Sequence, residues 1–190
     1  MFWDVRPFQG IGPFDFGTPR DSVRGLIGGE VTAFVKARAD EVDAAEALRA
    51  HFYYDARQAL NLVEIFPGGP AIVRYADVPL MTRPLDALCA AMGAIGHPVT
   101  REPEGGLIES LGIGLYSPDG GDVSSVTAYD RSRFGSLLEI VQKSAERRRA
   151  REARRRAGEL PPPEPKRFQM PQRQLGLAEV VFRNMQRLCP

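Results

Sequence analysis

The chain has 190 residues, of which 43% are hydrophobic and 26% charged, proportions typical of a globular protein with one ordinary core. A formal net charge of +1 hides an uneven distribution: residues 1–140 contain 12 Lys/Arg and 19 Asp/Glu, whereas residues 141–190 contain 13 and 5. The N-terminus lacks a secretory pattern, no apolar run approaches the length of a membrane span, and two cysteines make no disulfide framework, so we expect a cytoplasmic protein.

Two stretches about 65 residues apart share the same spacing of proline, aliphatic residues and glycine. In the first, Pro19 is followed by Val23, Leu26, Ile27 and Gly28; in the second, Pro84 is followed by Leu88, Ala91, Met92 and Gly93. The first spacing predicts a helix that is capped by Thr18, begins at Pro19 and ends at Gly28. The second predicts a helix that begins near residues 82–84 and ends at Gly93 or Gly96. This repeat predicts the architecture into which the other segments fit.

The segments around the two helices show mostly strand patterns. The aromatic stretch 1–17 predicts extended chain, in which Phe2, Trp3 and Phe8 either cover the core or anchor a partner. Alternation and turn signals predict strands at 31–35, 51–54, 60–66, 71–75, 111–116 and 123–129. The acidic, alanine-rich stretch Asp40–Arg49 predicts a short helix or an ordered loop.

Composition changes after residue 133 and divides the chain into four parts. Residues 1–133 form the predicted tandem-repeat domain, 134–158 a basic helix, 159–170 a proline-rich linker, and 171–190 an amphipathic helical segment. The predicted fold is therefore α/β of the α+β kind. Two helix-plus-hairpin repeats form one curved antiparallel sheet with the helices on one face, followed by a C-terminal helical arm.

The run from Gly10 to Gly28 and its echo from Val78 to Leu88 resemble small bacterial proteins built from a helix and a curved antiparallel hairpin. The tandem arrangement over residues 8–133 is similar to the beta-lactamase inhibitory protein and to the lipoproteins of outer-membrane barrel assembly. Some toxin-immunity proteins share this size and build. The resemblance implies the scaffold, and it implies no individual binding residue.

Candidate catalytic chemistry is sparse. His51 and His97 have no nearby serine, cysteine or paired carboxylate at a telling spacing, so we expect structural or solvent-facing roles for them. Two histidines and two separated cysteines give no zinc-binding pattern, and neither Gly-Ile-Gly sequence opens a dinucleotide-binding loop. We therefore expect no cofactor, no metal and no enzymatic activity.

Charge suggests two kinds of partner. The acidic body suits a basic protein, so we expect an immunity-type inhibitor of a bacterial toxin, with contacts at Asp40, Glu41, Asp43 and Glu46. Alternatively, the basic helix makes the protein a nucleic-acid- or assembly-associated adaptor that acts through Arg147, Arg148, Arg151, Arg154 and Arg155. Neither hypothesis involves a membrane.

Overall fold

The computed structural model describes residues 1–35, 41–81, 83–135, 153, 154 and 157. Contacts divide the chain into two units, Met1–Lys143 and Ser144–Pro190. In the first unit, antiparallel sheets predominate and helices are few, which confirms the predicted mixture of α and β structure. The C-terminal arm lies almost entirely outside the described residues.

Both repeated helices form close to where the sequence predicts them. Helix α1 spans Arg20–Ile27 and α2 spans Leu85–Ala94. Pro19 and Pro84 are the N-cap residues, because their ψ angles of 144° and 140° are extended. Helix α1 therefore begins one residue later than predicted, and the predicted N-cap at Thr18 is wrong. Gly28 ends α1 in the left-handed conformation, as predicted. Helix α2 continues through Gly93 to Ala94 and stops just before Gly96, the second of its two predicted ends.

Eight antiparallel strands form the larger sheet. Those of the first half are β4 (Thr32–Val35), β5 (Glu41–Ala45), β6 (Ala50–Tyr54) and β7 (Leu60–Ile65). Those of the second half are β10 (Thr100–Glu102), β11 (Gly105–Ile108), β12 (Ile113–Tyr116) and β13 (Ser125–Tyr129). The spatial order β10-β11-β12-β13-β7-β6-β5-β4 joins the halves between β13 and β7 and, within the part of the chain that the structure describes, leaves β10 and β4 at the edges.

A smaller sheet has the order β3-β2-β1-β8-β9, with β1 at Phe2–Arg6, β2 at Gly10–Ile11, β3 at Phe14–Asp15, β8 at Ile72–Tyr75 and β9 at Val78–Pro79. Strand β1 runs parallel to β8, and the other pairs are antiparallel. The predicted single sheet is therefore two sheets, because the N-terminal segment pairs with the strand that opens the second half.

The sequence echo has a counterpart in backbone hydrogen bonds. Pro19 bridges Ala59, and Pro84 bridges Asp122, in each case shortly before the last strand of that half. The residue after each proline donates its N–H to a carbonyl of the bridged segment. The carbonyl of the residue before each proline accepts a hydrogen bond from that same segment. The four bonds are Arg20 N to Gln58 O, Leu60 N to Thr18 O, Leu85 N to Gly121 O, and Val123 N to Arg83 O. Each helix is thus attached to its own strands in the same way.

One main core lies between the helices and the two sheets. It includes Val23 of α1, Leu88 of α2, Trp3 of β1 and Phe52 of β6, all buried. A second cluster of Val42, Tyr53 and Leu62, with Tyr129 against it, lies on the opposite face of the larger sheet, here called the outer face.

One local prediction is wrong. The sequence predicts a helix or loop over Asp40–Arg49, but Glu41–Ala45 is strand β5 and a short 3₁₀ helix follows at Glu46–Leu48. Strand β5 is held between β4 and β6, with Val42 opposite both Phe34 and Tyr53. Pairing on both sides overrides the weak strand propensity of alanine and the carboxylates.

Candidate functional site

The two edges of the larger sheet differ in chemistry. All four residues of β4, Thr-Ala-Phe-Val, are exposed, with Phe34 at 37% and Val35 at 66%, and none carries a charge. At the other edge, β10 reads Thr-Arg-Glu. Arg101 donates to Asp86 of α2 at 2.6 Å, and Thr100 donates to Glu109 at 3.0 Å. The β10 edge therefore has polar protection, whereas the β4 edge (Thr32–Val35) is apolar.

Three aromatic rings form a row that runs inward from the β4 edge and is here called the aromatic shelf: Phe34 on β4, His51 on β6 and Phe66 just after β7. The His51 ring meets that of Phe34 at a centroid distance of 5.5 Å and that of Phe66 at 4.8 Å, both edge to face. His51 follows Ala50 and precedes Phe52 on β6, and both of these face the main core, so strand alternation places the shelf on the outer face. An open cleft of about 210 Å³ beside the shelf is lined by Ala45, Glu46, Arg49, Ala50, His51 and Phe66.

The carboxylate of Glu64 lies next to the shelf. Tyr53 donates its hydroxyl to Glu64 Oε2 at 2.7 Å, and Ser125 donates to Oε1 at 3.3 Å. His51 Nδ1 is buried 3.7 Å from Oε2, beyond hydrogen-bond distance. Burial, with a smaller contribution from the nearby Glu64 charge, raises the pKa of Tyr129 to about 12, so this phenol stays neutral at physiological pH.

The structure separates the predicted contact carboxylates. Asp43 is fully buried on the core side and accepts hydrogen bonds from Arg20 at 2.6 and 3.1 Å, from Arg24 at 2.8 Å twice, and from the Tyr54 hydroxyl at 3.1 Å. Glu41 is paired with the same Arg20. The internal pairing of Asp43 assigns it to holding α1 on the sheet.

Burial by itself would raise the pKa of Asp43. The hydrogen bonds from Arg24 and Arg20 outweigh that effect and hold the pKa of this carboxyl well below its usual range. The carboxylate is therefore charged at neutral pH, and the two guanidinium groups of α1 compensate it.

Glu46 differs from Asp43 because 79% of its side chain is exposed, and its carboxylate is 3.5 Å from Arg49 at the rim of the cleft. Asp40 lies outside the described residues, as do Arg147, Arg148, Arg151 and Arg155 of the basic segment. Arg154 is helical and exposed. Among the predicted carboxylates that the structure describes, Glu46 is the one most accessible to a partner.

The predicted N-terminal aromatic residues fall into two groups. Trp3 is buried and packs edge to face on Phe14 at 5.3 Å, as expected of a core residue. Phe2 is 57% exposed, pairs in register with the exposed Ile72, and lies under the Arg74 guanidinium at 4.2 Å. Phe2 and Ile72 therefore form a small apolar surface on the smaller sheet.

Sequence reasoning missed the contacts of His97. Its Nδ1 lies 2.8 Å from the Ser110 hydroxyl, and its Nε2 lies 3.3 Å from the Tyr75 hydroxyl. Serine and histidine are 13 residues apart in sequence, and the intervening chain gives no motif that predicts the contact. A nucleophilic triad has an acidic group orienting the histidine, and here the second nitrogen meets a phenol instead. These bonds connect the loop after α2 to the β11–β12 turn and to β8.

Within the described ranges, no three His, Cys, Asp or Glu side chains are grouped so as to hold a metal ion. Over the same ranges, none of the helices has the length and apolar character that crossing a bilayer requires.

The structure thus defines a mixed α/β protein dominated by antiparallel sheets, whose most accessible apolar strand is the β4 edge. No family model matches the chain, and searches of curated proteins and of solved structures found no match either.

Proposed function

We propose that this chain is a non-catalytic protein-binding module, an immunity-type inhibitor of a basic bacterial toxin domain. The observation that carries the proposal is the apolar β4 edge with the aromatic shelf beside it. Exposed strand edges and aromatic side chains are recurrent protein-contact elements. Phe34 belongs to both features, and Glu46 adds an accessible carboxylate at the cleft next to them.

Charge favours a basic partner. Residues 1–140 carry a net charge of −7, and complementary fields speed the association of oppositely charged proteins. Several body carboxylates are paired internally, as with Asp43 and Glu41 on Arg20, so the contact depends on the accessible ones. We propose Glu46 as the principal acidic contact.

The scaffold itself is part of the proposal. We propose a tandem arrangement like that of the beta-lactamase inhibitory protein. In the present chain, each proposed repeat has one helix and four strands of the larger sheet. The matching proline bridges of Pro19 with Ala59 and Pro84 with Asp122 support it. In this arrangement the strands form a binding surface, and the main core lies on the helix side.

The test is co-expression of the full chain with the product of a toxin-like gene beside its own. We expect a complex that survives purification and restores growth, and we expect Val35→Lys to weaken it at least tenfold. Thr100→Lys at the opposite edge is the matched control and keeps full affinity. If no complex forms, and a salt-dependent gel shift disappears on truncation at Ser144, the adaptor hypothesis replaces this proposal.

A further inference from the structure

We infer that the partner adds an extended, basic segment to the β4 edge as a ninth strand of the larger sheet. This inference rests on the proposed function and specifies how the partner is recognised. The backbone of β4 supplies the hydrogen bonds, and Phe34, the shelf residue on β4, contacts side chains of the incoming segment.

The backbone argument starts from the position of β4. Among the described residues it is terminal in the strand order, and it pairs with β5 through Thr32–Ala44, Ala33–Asp43, Phe34–Val42 and Val35–Glu41. In a strand with one neighbour, alternate residues direct their N–H and C=O groups away from the sheet. Proteins usually block such an edge with charge, proline or a bulge, and β4 contains neither a charged residue nor a proline. It is therefore suited to accept another strand.

The side-chain argument concerns the two faces of β4. Phe34 lies on the outer face with His51, and its ring is part of the aromatic shelf. Val35 points to the opposite face and is 66% exposed. A strand laid beside β4 would cover both residues with alternate side chains, which gives the contact specificity as well as backbone bonds.

The charge of the body around β4 indicates the composition of the incoming strand. Glu30, which is exposed, lies two residues before the start of β4, whereas Glu41, opposite Val35, is already paired with Arg20. Glu30 and the net charge of −7 over residues 1–140 favour lysine and arginine in the incoming strand.

The test titrates the full chain with the synthetic peptide Ac-Lys-Val-Arg-Val-Lys-Val-NH₂ and follows backbone amide shifts and hydrogen exchange. We expect shifts and slowed exchange at Thr32–Val35. Methylation of alternate peptide nitrogens removes strand hydrogen bonds but keeps the side chains, so we expect at least tenfold weaker binding. An analogue with glutamate in place of lysine and arginine should weaken binding to a similar extent.

Single proline substitutions at Thr32, Ala33, Phe34 and Val35 supply a second readout. Substitutions where the N–H faces outward should abolish peptide binding and leave the melting temperature near that of the wild type. Substitutions at the alternate positions should lower the melting temperature, since they remove bonds to β5. Val35→Lys covers the case in which the proline variants fail to fold, and it should weaken peptide binding at least tenfold.

Several results would overturn the inference. One is equal binding of the methylated peptide, which would indicate side-chain docking alone; another is protection at Phe2 and Ile72 in place of β4. Concentration-dependent dimerisation that Val35→Lys abolishes would assign the edge to a second copy. If the toxin-like protein binds with unchanged affinity to every folded β4 variant, strand addition is wrong while the proposed function stands.

Discussion

In the first half of the molecule, Arg20 and Arg24 of α1 reach the buried carboxylate of Asp43, whereas α2 has Leu85 and Cys89 at the corresponding distances from its proline. The backbone bonds at the two prolines match, whereas the side chains between helix and sheet differ. The first joint contains buried ion pairs at Asp43, whereas in the second Leu85 is buried and the ion pair of Asp86 with Arg101 is exposed.

The strands below the two helices also differ, because the position that holds Asp43 in the first half holds Gly106 in the second. Val63 and Val126 each lie four residues beyond the bridge partner of a proline. In the first half, Val63 pairs with Phe52, which in turn pairs with Asp43. In the second half, Val126 pairs with Leu115, which in turn pairs with Gly106. A Cβ on Gly106 would lie 2.6 Å from Val99 Cγ1, so a carboxylate does not fit there.

The burial of Asp43 bears on the acidic character of residues 1–140. A net charge counted from sequence treats every carboxylate as a surface group. Asp43 shows that some of that charge is neutralised within the fold. Contact predictions drawn from acidic stretches therefore need burial as a second criterion.

The first prediction compares loss of the buried ion pairs of Asp43 with loss of an exposed ion pair, and the change expected at Asp43 is larger than in the other predictions. Asp43→Asn leaves Arg20 and Arg24 without their carboxylate, and we expect the free energy of unfolding to fall by about 3–5 kcal/mol. Asp86→Asn is the control, since this exposed carboxylate accepts from Arg101 at 2.6 Å, and we expect a loss below about 1 kcal/mol. Urea denaturation followed by circular dichroism measures both. Equal losses in the two variants would contradict the proposed division between the joints.

Acid should act through the same carboxylate. Because the pKa of Asp43 is lower in the folded state than its ordinary value near ~3.9, the unfolded chain takes up the proton first. The stabilisation is complete above about pH 4 and is lost as pH falls further, at up to ~1.4 kcal/mol per pH unit from this group. Unfolding free energies between pH 7 and pH 2.5 should decline less steeply for Asp43→Asn than for the wild type. Parallel profiles would exclude Asp43 as the source.

The smallest changes in stability are expected at Gly28 and Gly93, the two glycines of the repeated spacing. Substitution by alanine should destabilise the protein at one of them and stabilise it at the other. Gly28 has φ +64°, so Gly28→Ala should cost about 1–2 kcal/mol. Gly93 lies inside α2 with open space where an added methyl group would lie, so Gly93→Ala should stabilise the protein by up to about 1 kcal/mol. Thermal unfolding of both variants gives the comparison. Destabilisation by both would indicate that α2 ends at Gly93 in solution.

Local signals in the sequence predict a large part of this fold. Both helices follow a proline, α1 ends at the predicted Gly28, and the hairpin of β6 and β7 turns at residues 55–59 as its polar residues indicate. Each of these features depends on residues close together in the chain. The prediction for β5 is wrong because the strand propensity of this segment is weak and its pairing partners decide its conformation.

By itself, then, the sequence determined the repeated helices, most of the strands of the larger sheet and the acidic character of residues 1–140. Tertiary structure alone decided that β1 pairs with β8, that Asp43 is internal and Glu46 accessible, and that β4 is an apolar edge. The reason is the separation along the sequence over which each kind of interaction acts. Capping, turns and alternation act within a few residues, whereas burial and strand order depend on segments brought together from as far as 70 residues apart.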